Sequence, residues 1–118
     1  MKALHVTLDM LMLIGYYRRE HPKECFYCGR KLGDKRECEK YPELAMLTRD
    51  HVVPKKNGGA ALRHKRNIVP ACQPCNIAKG HMTLEQFRNK RFAGKCVEFH
   101  GETMFRQHGK RVGRLHKV

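Results

Sequence analysis

The chain has no tryptophan, and aromatic residues make up only 8% of it. With 118 residues, 41% of them apolar, a core with so little aromatic bulk buries limited surface and gains from a staple such as a metal ion. Acidic residues are scarce too: 11 Asp and Glu stand against 25 Lys and Arg, a formal net charge of +14. Such an excess points to a polyanionic partner, because each phosphate neutralised by a cation releases counterions. Nucleic acid fits better than an acidic membrane, since no basic amphipathic helix stands alone. Long apolar runs are missing as well. Met10–Ile14 falls far short of the roughly 20 residues of a membrane span. Asp9 interrupts the apolar run of Met1–Tyr17, and no small-x-small cleavage site follows, which argues against a secretory leader. We expect a cytoplasmic protein, of a bacterium or a phage-infected cell. No internal repeat divides the sequence, so we read 1–118 as one domain with a core over about 25–92.

Cysteine is what the chain has in quantity, with six. In a cytosolic chain, Cys-x-x-Cys pairs are zinc ligands more often than disulfides. Cys25 and Cys28 flank a tight turn followed by Gly29, a zinc-knuckle pattern, and Cys72 and Cys75 repeat the spacing. The 43 residues between the pairs exceed the roughly 15–20 of a simple zinc ribbon. A shared ion would therefore clamp the knuckle onto a distant strand–helix junction. Four thiolates close a structural site and leave no position for water, so the chemistry must lie elsewhere. Cys38 and Cys96 read as free, partly buried thiols. His5, His64, His100, His108 and His116 have no partners at ligand spacing and read as surface or phosphate contacts.

Local signals place the elements. A helix over 7–20 has Thr7 as its N-cap, is apolar almost all round and is expected to pack as a lid on the core; His21-Pro22 ends it. Residues 30–42 are polar and read as loop. Tyr41–Leu47 leads, helical or extended, into a strand over Thr48–Val53 that ends at Pro54. A basic Gly-Gly loop follows, and Asn67–Ala71 forms a second strand. Pro74 suits the first turn of a helix running to Gly80. Thr83-Leu-Glu-Gln86 is a capping box opening a helix to about Phe92. Lys95–Phe105 reads as a hairpin or extended pair, with a basic tail over about 106–118.

Asp50-His51 stands at the end of the first strand. Asn67 follows His51 by 16 positions and Asn76 lies nine further on, each at an element already placed. On an extended strand Asp50 and His51 point to opposite faces, so one site can use both only where the strand ends. The run DHVVPKKNGG…NIVPACQPCNIAKG resembles the zinc-bearing branch of the HNH endonucleases, of phage or bacterial type. The resemblance covers about Cys25–Gly80 and implies an α+β fold with a ββα-metal unit. It also implies His51 as general base, Asp50 and Asn76 as ligands of a catalytic cation, and Asn67 as the residue that fixes the loop and orients His51. The last motif position is Asn76 where many members have His, an H-N-N version, and Gly80 supplies no further ligand. A carboxylate and an amide oxygen suit Mg²⁺ or Mn²⁺ better than Zn²⁺. The resemblance implies hydrolysis of DNA with one divalent ion, giving 5′-phosphate and 3′-hydroxyl ends.

Lys55, Lys56, Arg63, Lys65, Arg66 and Lys79 are the expected contacts to the nucleic-acid backbone, and such contacts carry affinity without base information. One site per chain predicts nicking by a monomer unless a homodimer forms. The rival reading is a non-catalytic, zinc-ribbon-like binding module, which needs the cysteines and the charge but has no use for Asp50, His51 or Asn76.

Overall fold

The computed structural model describes residues 8–54, 67–93, 95 and 97–109. Helix α1 (Leu8–Glu20) matches the expected helix, with its proposed cap Thr7 outside the described residues. Ile14 and Tyr17 are fully buried while Met12 is exposed, so one side of α1 faces the core. The Tyr17 hydroxyl lies 2.9 Å and 3.1 Å from the carbonyls of Glu24 and Cys25, pinning the cysteine knuckle to α1. In the knuckle Gly29 takes a φ of 81°, the left-handed conformation its sequence position suggests. Glu24 and Lys31 then pair as an antiparallel bridge.

Residues 30–42 differ from the expected loop. They form a short strand β1 (Leu32–Gly33) and a helix α2 (Lys35–Lys40). Asp34 caps α2 by accepting the Glu37 amide at 2.8 Å, while the Glu37 carboxylate accepts the Asp34 amide at 2.9 Å. This capping box carries no apolar period because α2 buries none of its residues.

Strand β2 (Ala45–His51) runs parallel to β1 and antiparallel to β3 (Ile68–Cys72), giving the sheet order β1-β2-β3. Asp50 is opposite Val69 and His51 opposite Ile68. Pro70 is tolerated because β3 is an edge strand, and its carbonyl accepts the Phe26 amide at 2.9 Å. Helix α3 (Gln73–Lys79) leaves β3 directly, with Pro74 in its first turn, and stops at Gly80. The result is an α+β fold in which β2, β3 and α3 form the expected ββα unit.

Thr83 and Gln86 build the anticipated capping box of α4 (Leu84–Phe92). The expected hairpin over 95–105 is not formed. A helix α5 (His100–Met104) runs into a π-helical turn over Phe105–Gly109. Glu102 accepts the Phe99 amide at 2.8 Å and the Arg88 guanidinium, which starts a helix where the sequence offers little apolar period. The basic tail is shortened accordingly: Arg106 bonds the Glu98 carboxylate, and residues 110–118 lie outside the described residues. His100 is not a phosphate contact; its ring bonds Glu24 at 3.1 Å and packs edge-on against Tyr17.

The few aromatic residues are concentrated in one place. Tyr27 meets Phe26, Phe87 and Phe99 edge-on at 5.2–5.4 Å, and Phe87 stacks on Phe99. This cluster joins the knuckle to α4 and α5. Gly101 allows the closest approach. Its amide donates to the Phe26 carbonyl at 2.7 Å, and a Cβ there would fall 2.1 Å from the Phe26 ring. Gly101→Ala should therefore destabilise the protein by about 1–3 kcal/mol through overpacking, measured by urea denaturation. Unchanged stability would show that α5 is not held against the knuckle.

Candidate metal centre and catalytic cleft

Cys25 and Cys28 come from the knuckle, Cys72 ends β3, and Cys75 lies in the first turn of α3. Their four sulfurs lie within 4.8 Å of one another, and Cys28 Sγ is 3.7 Å from Cys72 Sγ. A tetrahedral ion with metal–sulfur bonds of about 2.3 Å requires sulfur–sulfur edges of about 3.8 Å. The cluster therefore fits a metal ion such as zinc, joining the two pairs as the spacing predicted. The thiols compete for charge. A hydrogen bond from Cys75 pulls Cys25 down to about 4, and giving up that proton to ionise raises Cys75. Burial pushes Cys28 up to about 11. Arg91 on α4 adds a guanidinium nitrogen 3.1 Å from Cys75 Sγ, a cation beside the concentrated sulfur charge. Cys38 is a half-buried free thiol against the Gly33 carbonyl, and Cys96 lies outside the described residues.

The second group of polar residues lines a cleft of about 300 Å³ bounded by Arg49, Asp50, His51, Pro54, Asn76, Gly80 and His81. His51 is the last residue of β2, and at this strand end adjacent Asp50 and His51 both border the cleft. Asn76 stands one residue after Cys75 on α3. Its amide nitrogen donates to Thr48 Oγ1 at 3.0 Å and to the Arg49 carbonyl at 3.2 Å. A carbonyl only accepts, so the NH₂ group must face β2 and the amide oxygen turns away from it.

Asp50 is 6% exposed and held from two sides. The Tyr27 hydroxyl donates to Oδ2, and Lys79 Nζ lies 3.1 Å from the same oxygen. Lys79 also donates to the His51 carbonyl at 2.9 Å. Burial, then the Asp50 charge, raises Tyr27 well above its ordinary range and keeps it a donor. Burial lowers the Lys79 ammonium, and the Asp50 charge opposes that fall. Asn67, fully buried, pairs its amide with both backbone groups of Val53, at 2.7 Å and 2.9 Å, and its carbonyl takes the Val52 amide at 2.9 Å. These bonds lock the chain just past His51. Asn67 thus bonds the backbone of β2's exit and does not border the cleft.

The family model of the HNH endonucleases matches residues 25–82, from the knuckle past the end of α3. Residues 25–82 are an HNH endonuclease domain. No curated protein and no solved structure matches the chain. The HNH domain thus contains both groups, four cysteines at one end of α3 and the Asp50–His51–Asn76 cleft alongside.

One expected site residue is corrected. Lys79 was assigned to the nucleic-acid backbone, but it is fully buried and paired with Asp50, so its ammonium does not reach a phosphate. Lys55, Lys56, Arg63, Lys65 and Arg66 lie outside the described residues. Sequence reasoning also missed the contact of Tyr27 with Asp50. Its signal was a hydroxyl-bearing residue between the knuckle cysteines, where packing alone would have been served by phenylalanine. Lys79→Ala should cost about 3–5 kcal/mol, the usual penalty for stranding a buried charge. The salt dependence of nucleic-acid binding should stay unchanged. A stable variant with a shallower salt slope would instead restore Lys79 as a phosphate contact.

Proposed function

We propose that the chain is a metal-dependent DNA endonuclease that hydrolyses phosphodiester bonds by the HNH mechanism, acting as a nicking monomer. The observation that carries this reading is the convergence of Asp50, His51 and Asn76 on one cleft. Among the described residues both partners of Asp50 occupy Oδ2, and Oδ1 is read as its donor toward a cation. The Asn76 amide oxygen, turned from β2, is the second donor. Two hard oxygen donors leaving several coordination positions for water and phosphate suit Mg²⁺ or Mn²⁺. A divalent cation bound there would draw charge from the scissile phosphate and stabilise the departing 3′ oxygen. His51 takes the proton from the attacking water as the water's oxygen bonds to phosphorus and the P–O3′ bond breaks. Lys79 holds the carbonyl of His51 itself, and Asn67 holds Val52 and Val53 just after it. The four-cysteine cluster, closed to water, is read as structural zinc and holds the knuckle against the ββα unit.

A purified preparation should hold about one tightly bound zinc, and Cys72→Ser should lose both the metal and the fold. A folded, metal-free protein with unchanged melting would remove the zinc assignment. For catalysis, His51→Ala should lose plasmid cleavage by at least about a hundredfold while keeping its fold and its DNA affinity. Asp50→Ala should also lose activity, with partial recovery in excess Mn²⁺ that His51→Ala does not share. Wild-type cutting by His51→Ala would overturn the assignment of the base.

A further inference from the structure

Leu47, Arg49 and His51 alternate along β2 and so share one face of the strand, opposite Pro70 and Ile68 of β3. On that face Arg49 and Arg18 line a small cleft of about 160 Å³, floored by Leu47, Ile68 and Pro70 and closed by Pro22. Arg49 also borders the cleft that contains His51, so the two hollows share a wall. The lining includes two guanidinium groups and no carboxylate. Neither arginine makes an ion pair among the described residues, although seven such pairs occur there. Arg18 is half-buried, and one of its nitrogens is 3.4 Å from the Ile68 carbonyl, its one side-chain hydrogen bond among the described residues.

We propose that Arg18 and Arg49 form a phosphate subsite for the strand being cut, one step along the backbone from the phosphate facing His51. The inference rests on the nuclease reading and adds a contact from α1, outside the matched 25–82 segment. Residues two apart on a strand are separated by about 6.6–6.8 Å, a span of the order of one nucleotide step. Forked guanidinium groups suit phosphate oxygens. Because the ligand is a backbone phosphate, the subsite fixes the register of the strand without reading bases.

The test is binding of a fluorescent random-sequence duplex to the full chain over a KCl series without added divalent ion, followed by plasmid cleavage with Mg²⁺. Replacing both Arg18 and Arg49 by Gln should lower the slope of log affinity against log salt by about one unit, roughly 0.9 for the one phosphate that the pair neutralises. It should raise KM while leaving kcat largely unchanged. Lys35→Ala with Arg36→Ala, on exposed α2, removes the same charge and should change the slope by less than about 0.3 units. If Arg18→Gln unfolds the chain, Arg49→Gln alone should still lower the slope by about half a unit. A wild-type slope and KM in a protein that cuts plasmid would overturn the subsite, as would an equal loss in the Lys35–Arg36 variant. Retained binding with the predicted slopes, but no cleavage by the wild-type protein, would instead overturn the nuclease reading and keep the subsite.

Discussion

The carboxylate of Asp50 is the point on which the two halves of the HNH domain meet. Tyr27 reaches it from the cysteine knuckle and Lys79 from the end of α3. A nearly buried carboxylate is costly unless it is paired and hydrogen-bonded, and here both conditions are met on a single oxygen. That arrangement fixes the rotamer of Asp50. It also makes the cleft depend on the cysteine cluster. Tyr27 lies between Cys25 and Cys28, so whatever holds those sulfurs also holds the phenol against Asp50.

Two further devices serve the same end. Cys75 and Asn76 are neighbours on α3, so the helix start that carries a sulfur ligand also carries the amide facing Thr48 and Arg49. Asn67 secures the chain that leaves β2 by imitating a backbone partner for Val53. The cleft is thus framed by groups whose hydrogen bonds are already made, and little reorganisation is needed when a charged substrate arrives. The aromatic cluster of Tyr27, Phe87 and Phe99 supplies the apolar backing that a chain without tryptophan must find in few residues.

Much of this was legible beforehand because the signals were local. The two Cys-x-x-Cys pairs, Pro74 before α3 and the Thr83–Gln86 box each announce their geometry within a few residues. The elements that escaped were those stabilised by contacts distant in sequence or lacking an apolar stripe. Helix α2 buries nothing and is held by its cap, while α5 depends on Gly101 approaching Phe26 across the fold. Lys79 misled for a related reason: in a sequence rich in Lys and Arg a buried cation looks like a surface one until its partner is seen. Tyr27 could be placed at the knuckle but not aimed, since its direction is set by α4 and α5 closing over the ring.

The central claim is that one ion builds the fold through sulfur while a second, bound through oxygen, enables cleavage beside His51. Supercoiled plasmid incubated with zinc-loaded protein separates the two directly. The account predicts no cutting without an added ion, and conversion to nicked circles when Mg²⁺ or Mn²⁺ is supplied. Intact plasmid with every divalent ion would contradict it, as would equal cutting by the zinc-loaded protein alone.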